Sequence, residues 1–130
     1  MILPTTNLPK AVDWRNTGAV TPAVNQHTCG SCWAFTTAAC LESYNKIAGG
    51  GLMRLSPQQL VDCASNQQWG SFGCEGGFVD YAFTYSRFYP LMEEAYYPYK
   101  NVKGSICSYA PSLGRVQVKD NWKVPANDKE

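Results

Sequence analysis

Six cysteines in a chain of 130 residues constrain the fold more than any other feature of the sequence. They lie at positions 29, 32, 40, 63, 74 and 107. Such a set fits three disulfides, a zinc site, or a mixture of bridges and a reactive thiol. Disulfides would imply an oxidising compartment, yet the run Met1-Ile2-Leu3-Pro4 has neither the basic leader nor the apolar core of a signal peptide. We therefore expect that a segment has been removed upstream.

The composition is that of one globular domain without a strongly charged surface. Hydrophobic residues make up 45% of the chain, charged residues 16%, and the net charge is +1. No run of lysine or arginine occurs, so nucleic acid and anionic membrane surfaces are not expected partners. No apolar stretch approaches the roughly 18 residues that a membrane span needs. The length suffices for a single domain with its own core.

The segment from Cys32 to Ala48 carries the longest helical pattern. Before it, residues 1–31 contain prolines and no sustained periodicity, which predicts an extended loop. Within it, apolar residues fall on most sides of the helix, so we expect a helix buried in the middle of a domain. The run Gly49-Gly50-Gly51 is expected to end it.

Two shorter helices and a strand are predicted further along the chain. In the run Ser56-Pro57-Gln58-Gln59, the serine is placed as N-cap, the proline at the first helical position and the second glutamine for a capping box. This helix should extend to about Cys63. A third helix is predicted to begin after Gly76-Gly77 and to end at Pro90. The alternation of Val116 and Val118 with polar residues predicts a strand.

The candidate reactive segment runs from Gln26 to Trp33. Cys32 is the first residue of the predicted buried helix, where unpaired backbone N–H groups and the helix dipole favour a thiolate nucleophile. The N–H of Cys32 and the side-chain amide of Gln26 are placed to form a two-donor oxyanion hole. Gly30 would let a substrate backbone approach closely.

Two other interpretations of the cysteine pair at 29 and 32 are open at this point. In a thioredoxin-like redox pair, tryptophan usually precedes the first cysteine, whereas Trp33 follows the second one and no strand comes before the motif. A zinc site formed by Cys29, Cys32, Cys63 and Cys74 has a plausible first pair but poor spacing afterwards. The nucleophile is the favoured interpretation.

The run Gln26-x-x-Cys29-Gly30-Ser31-Cys32-Trp33-Ala34-Phe35 resembles the signature of the papain and cathepsin family of cysteine proteases. The resemblance extends from about residue 8 to the end of the chain. It includes the mature start at 8–15, the second helix at 55–63 and the glycine-rich substrate segment at 73–77. It also includes Tyr97-Pro98-Tyr99, Cys107 and the run 124–128.

The resemblance implies an α+β, papain-like fold. The chain would carry its mainly helical left domain, at about 8–112, and the start of a crossover, at about 113–130, to a β-rich right domain that is absent. The implied disulfides are Cys29–Cys74 and Cys63–Cys107, each closing a loop of about 45 residues and worth at most about 4 kcal/mol. Cys40 has no implied partner, and its place within the first helix favours a small buried apolar group over a reactive thiol.

The resemblance also implies the residues that bind a peptide. The backbone of Gly76-Gly77 would pair with an extended peptide as an added strand does. Phe78 and Val79 would wall the main specificity pocket and favour an apolar side chain, with Phe72 further out. Glu75 stands at the cleft rim, where asparagine is commonest in the family. The other implied substrate contacts are Gly30, Ser31 and Trp33.

The chain lacks the imidazole that a cysteine protease needs. The family histidine lies roughly 130 to 150 residues after the cysteine, here at about position 162 or later. The orienting asparagine is missing for the same reason, and His27 is interpreted as a solvated loop residue. We expect endopeptidase activity through a Cys32 thioester once a C-terminal half is present, and none from the chain alone. The alternative is a non-catalytic truncated module or pseudoenzyme, and a thiol oxidoreductase is a distant third.

The expected partners are peptide or protein substrates, the missing C-terminal domain, and an inhibitory propeptide or protein inhibitors. No cofactor and no metal are expected. The family is made with a signal and a propeptide, so both would lie upstream, and the expected location is the lysosome, the vacuole or outside the cell.

Overall fold

Residues 6–124 are described by the computed structural model of the chain. They form three α-helices: α1 (Cys32–Ile47), α2 (Pro57–Cys63) and α3 (Val79–Phe88). The strands β1 (Leu91–Met92) and β2 (Gly114–Val116) pair in one sheet, and two short 3-10 turns span Trp14–Thr17 and Pro111–Leu113. Residues 1–5 and 125–130 lie outside the described residues. The interpretations of Met1-Ile2-Leu3-Pro4 and of positions 125–128 in the run 124–128 fall on them.

Helix α1 begins at Cys32, as predicted, and ends one residue before the predicted end at Ala48. It packs against both α2 and α3, which surround one side of it. The side chains that it buries there include Trp33, Ala34 and Leu41. Because each fully buried large apolar side chain contributes about 1.5–3 kcal/mol, this packed side provides much of the stability of the helical core.

The other side of α1 is uncovered within residues 6–124. Cys40 is exposed, and so are Tyr44 and Ile47. The expectations that α1 is buried on most sides and that Cys40 is a small buried group are therefore wrong. The physical reason is that residues three and four apart share one face of a helix, and this face meets none of the described elements. Neighbouring atoms still desolvate the Cys40 thiol in part, and this raises its pKa.

Helix α2 begins as the sequence predicts, but its capping box is only half formed. Ser56 Oγ accepts the N–H of Gln59 at 3.0 Å, and Pro57 is the first helical residue. The Gln59 side chain does not return to Ser56. Its Oε1 accepts the N–H of Met92 at 2.8 Å, and its Nε2 donates to the Tyr85 hydroxyl at 3.2 Å. Gln59 therefore connects α2 to both α3 and β1 through hydrogen bonds of its side chain.

The small sheet closes the end of the core. Strand β1 is antiparallel to β2, with Leu91 opposite Val116, and the sequence patterns did not predict β1. The strand predicted at 116–118 ends at Val116, although Val118 is still buried and its N–H donates to the carbonyl of Ser86 at 3.1 Å. The core around these elements includes Leu55, Leu60, Val61, Ala82, Tyr85, Leu91 and Met92.

Two disulfides hold the loops onto this core. Cys29–Cys74 joins the segment before α1 to the glycine-rich segment before α3. Cys63–Cys107 joins the last residue of α2 to the loop before β2. These are the two pairs that the family resemblance implies. No helix within residues 6–124 combines the length and apolar character needed to cross a membrane.

Candidate active site

The thiol of Cys32 lies exposed at the first residue of α1. The carbonyl of Ser31 accepts the N–H groups of Ala34 and Phe35, at 2.9 and 3.1 Å, and this closes the first turn. The N–H of Cys32 itself meets no acceptor among residues 6–124. An unpaired N–H at the positive end of a helix stabilises an anion that forms beside it. The sulfur and one candidate oxyanion donor therefore belong to the same residue.

Gln26, the other candidate oxyanion donor, is half-buried in the loop that leads to α1. Its Nε2 donates to the carbonyl of Cys29 at 3.0 Å. A side-chain amide carries two N–H donors, so one remains for another acceptor. His27 follows with a left-handed φ of 56° and lies exposed, in agreement with its interpretation as a solvated loop residue.

Tyr99 contacts this loop from a distant part of the chain. Its hydroxyl donates to the carbonyl of Gln26 at 2.6 Å and lies 2.8 Å from the Oγ of Ser31. Sequence reasoning noted Tyr97-Pro98-Tyr99 only for its resemblance to the family and gave it no role at the site. The contact joins residues 73 positions apart, so no local sequence signal could have found it.

The glycine-rich segment lies directly beside the reactive loop. Besides the disulfide from Cys29 to Cys74, residues 30 and 75 form a parallel bridge. Gly76 has a φ of 115°, in the region that favours glycine. Among residues 6–124, the N–H of Gly76 and both backbone groups of Gly77 have no hydrogen-bond partner. These groups remain free to pair with an extended peptide.

Two predicted substrate contacts, Ser31 and Trp33, are buried, with relative exposures of 0% and 2%. The Trp33 indole N–H donates to the carbonyl of Gly73 at 3.1 Å. A Cβ on Gly77 would lie 2.5 Å from the Trp33 ring, so the glycine backbone rests against that ring. Both side chains lie beneath the surface and support the loops above them, and substrate contact at Ser31 and Trp33 stays a prediction.

The predicted pocket wall is exposed and apolar. The side chains of Phe72 and Phe78 are 62% and 57% exposed, and Val79 is half-buried beside them. The ring of Phe78 packs edge-to-face on Tyr81, with centroids 5.3 Å apart. Glu75 also lies exposed on this rim. Their roles in substrate binding stay predictions.

The two disulfides decide between the interpretations of the cysteine motif. Cys29 is bonded to Cys74, which removes it from a redox pair with Cys32. The same bond removes two of the four sulfurs from the zinc site that the sequence left open. Within residues 6–124, no group of three or more histidine, cysteine, aspartate or glutamate side chains is placed to hold a metal ion.

The sequence matches the family described as Papain family cysteine protease over residues 8–130. The chain belongs to the papain family. Its curated papain-family relatives include Pro-cathepsin H of Bos taurus, which is 46% identical over 124 residues, covering 94% of this chain and 36% of the relative. Cysteine endopeptidase RepA of Oryza sativa subsp. japonica is 45% identical over 124 residues, covering 95% and 32%. The chain spans about a third of the length of these relatives.

Solved structures of papain-like proteases confirm the predicted fold class. The cysteine protease CMS1MS2 of Carica candamarcensis, in complex with E-64, aligns with a TM-score of 0.74 at 42% identity, covering 86% of this chain and 50% of that one. Digestive procathepsin L2 from the larval midgut of Tenebrio molitor aligns with a TM-score of 0.79 at 39% identity, covering 87% and 35%. The described part corresponds to the helical part of the papain-like fold.

Proposed function

We propose that this chain is the nucleophile-bearing half of a cysteine endopeptidase, which becomes active when a C-terminal half supplies a histidine and an asparagine. The observation that carries the proposal is the exposed Cys32 thiol at the start of α1, beside its own unpaired N–H. Membership of the papain family supports the same chemistry. The family match alone would not require the reactive residues to be kept in position.

In the proposed reaction, the Cys32 thiolate attacks the carbonyl carbon of the substrate peptide bond. A C–S bond forms, and the carbonyl oxygen takes the negative charge between the Cys32 N–H and the Gln26 amide. The histidine of the C-terminal half, protonated by the thiol, gives its proton to the amine as the C–N bond breaks. Water then attacks the thioester, returns a proton to the sulfur through the same imidazole and releases the acid.

The proposed substrate is an extended peptide with an apolar side chain in the main pocket. The unpaired backbone groups of Gly76-Gly77 support strand-like pairing with such a peptide. The exposed rings of Phe72 and Phe78, with Val79, support an apolar wall. An inhibitory propeptide or a protein inhibitor would occupy the same cleft.

The proposed partner of the chain is the C-terminal half, which would cover the exposed side of α1. In the proposed division, the left domain spans about 8–112 and the crossover begins at about 113. The exposed side chains of Cys40, Tyr44 and Ile47 support this docking surface. An open groove of about 750 Å³ lies on a neighbouring face of α1, and its lining includes Val20, Pro22, Phe35, Ala39, Glu42 and Arg54.

A lysosomal, vacuolar or secreted location is proposed as well. Two disulfides form stably in oxidising surroundings, and one of the relatives is a pro-cathepsin.

Hydrolysis of a peptide amide tests the proposed function. The chain is assayed alone and together with a papain-like C-terminal half that carries the histidine and asparagine. We expect no turnover from the chain alone, turnover from the pair, complete loss in Cys32→Ala, and retention in the matched control Cys40→Ala. Turnover by the chain alone would refute the need for the second half. A stable but inactive pair would instead favour a non-catalytic module.

A further inference from the structure

We propose that Tyr99 is a positioning residue for the candidate oxyanion hole, because its hydroxyl fixes the Gln26 loop against the start of α1. The proposal rests on the proposed endopeptidase function, since an oxyanion hole serves acyl transfer. Tyr99 lies 73 residues after Gln26, yet its hydroxyl donates to the carbonyl of Gln26 at 2.6 Å. The Tyr99 hydroxyl therefore bonds directly to the backbone from which the Gln26 amide projects.

The hydroxyls of Ser31 and Tyr99 form a short chain of hydrogen bonds. Tyr99 uses its single proton on Gln26, so its oxygen accepts from the Oγ of Ser31, 2.8 Å away, and Ser31 shares its proton with the carbonyl of Cys29 at 3.3 Å. Ser31 is fully buried and directly precedes Cys32. Bonds in such a chain strengthen one another in a partly desolvated site. The chain runs from the backbone carbonyl of Gln26, whose side chain is one proposed oxyanion donor, to the side chain of Ser31, the residue before the other donor, Cys32.

The ring and the backbone of Tyr99 are both fixed. Its ring packs edge-to-face on Phe35, with centroids 4.8 Å apart and an interplanar angle of 77°. Phe35 lies in the first turn of α1, the helix that carries Cys32. The backbone N–H of Tyr99 donates to Oε1 of Glu94 at 2.9 Å. The hydroxyl is thus positioned by the same helix start that it serves.

Asn101 holds the middle of the same loop. Its Oδ1 accepts the N–H of Cys29 at 3.0 Å, and its Nδ2 donates to Oγ1 of Thr28 at 3.0 Å. Asn101 adopts a φ of 58°, a left-handed conformation that asparagine tolerates better than most residues. Tyr99 and Asn101 therefore contact the loop along its length, and Tyr99 provides the contacts at Gln26 and at Ser31, the residue before Cys32.

The kinetic test compares Tyr99→Phe with Tyr97→Phe in the chain completed by its C-terminal half. Tyr97 is the matched control because it lies in the same tripeptide, and its hydroxyl bonds Asp62 at 2.8 Å and the N–H of Ser108 at 3.0 Å, away from the loop. Removal of an oxyanion donor lowers kcat by about 100- to 1,000-fold, and its displacement should cost less. We expect kcat about tenfold lower in Tyr99→Phe, with KM within about twofold.

Alkylation of Cys32 by iodoacetamide separates positioning from general damage, because that reaction forms no oxyanion. We expect its rate in Tyr99→Phe to stay within about twofold of the parent. The proposal is overturned if kcat is unchanged, if alkylation falls together with kcat, or if Tyr97→Phe loses as much activity as Tyr99→Phe.

Backbone hydrogen exchange tests the same proposal without any activity. In the 130-residue chain, we expect the amides of Cys29 and Gly30 to exchange at least about fivefold faster in Tyr99→Phe, and at the parent rate in Tyr97→Phe. Unchanged exchange in Tyr99→Phe overturns the positioning role, whatever the activity. Faster exchange in the chain, together with no activity from the completed pair, supports the role and places the failure in the proposed function.

Discussion

The backbone N–H of Gly30 donates to the carbonyl oxygen of Cys74 at 2.9 Å, next to the disulfide that joins Cys29 to Cys74. A Cβ on residue 30 would clash with that oxygen and lie 3.4 Å from the carbonyl carbon. The sequence suggested that Gly30 makes room for a substrate. The structure gives a further reason for glycine, since it lets the reactive loop lie against the glycine-rich segment.

Replacement of Gly30 by alanine should therefore destabilise the chain. Overpacking against rigid backbone costs about 1–3 kcal/mol, and the clash involves a carbonyl that cannot move without straining the disulfide. Urea unfolding with both disulfides intact measures the change. The matched control is Gly51→Ala, where the nearest atom to a new Cβ is the Met53 methyl at 4.0 Å. That variant should stay within about 0.5 kcal/mol of the parent, and equal effects at the two sites would contradict the packing argument.

The folded chain should titrate two thiols, Cys32 and Cys40, because the other four cysteines are paired. Partial burial raises the pKa of the Cys40 thiol, so a smaller fraction is thiolate at neutral pH and Cys40 should react more slowly than an unhindered thiol. A disulfide reagent added at pH 7 and pH 9 measures the rates. The Cys40→Ser variant should keep one reactive thiol, and a folded parent with only one would show that Cys40 is covered.

Glu94 should make stability depend on pH. Its Oε2 is buried without a partner among residues 6–124, and burial raises the pKa of its carboxyl, with a smaller contribution from the nearby Glu42 carboxylate. The Tyr99 N–H and the Arg54 charge oppose this rise. The folded state therefore binds the proton more tightly than the unfolded state, whose pKa is about 4.3. The stability that Glu94 contributes is present below that value and is lost as pH rises through the folded pKa.

The Glu94→Gln variant keeps an acceptor for the Tyr99 N–H and removes the charge. Relative to the parent, it should gain stability as pH rises above about 4.3, by less than about 1 kcal/mol because the group is partly exposed. Urea unfolding at several pH values measures the difference. A loss of stability relative to the parent over this range would contradict the prediction, because it would show that the folded state favours the charged form of Glu94.

The local signals of the sequence predicted the helices well. Ser56 and Pro57 place the start of α2, and Pro90 ends α3, because capping and proline geometry act within a few residues. The short range of these signals also explains which predictions were wrong. The two-residue strand β1 has no periodicity of its own, and Gln59 leaves its capping box for partners on β1 and α3.

The features of the candidate site also divide into those that local sequence signals or the family resemblance predict and those that depend on distant contacts. The position of Cys32 at a helix start follows from local pattern, and the disulfide pairs followed from the family resemblance. The burial of Trp33 and the exposure of Cys40 depend on which elements surround α1, which helical periodicity alone does not specify. The contact between Tyr99 and Gln26 joins residues 73 positions apart, so no short motif contains it.

Because these contacts join residues far apart in the sequence, they can form only after the later residue of each pair has been synthesised. Tyr99 leaves the ribosome 73 residues after Gln26, an interval of about 4 to 15 s at ordinary translation rates. Cys74 likewise follows Cys29 by 45 residues. Until then, the sulfurs nearest to Cys29 along the nascent chain are those of Cys32 and Cys40. If an oxidant that acts faster than translation joins Cys29 to Cys32, the Cys74 thiolate must later attack the Cys29 sulfur, form the native bond and release Cys32 as the free thiolate.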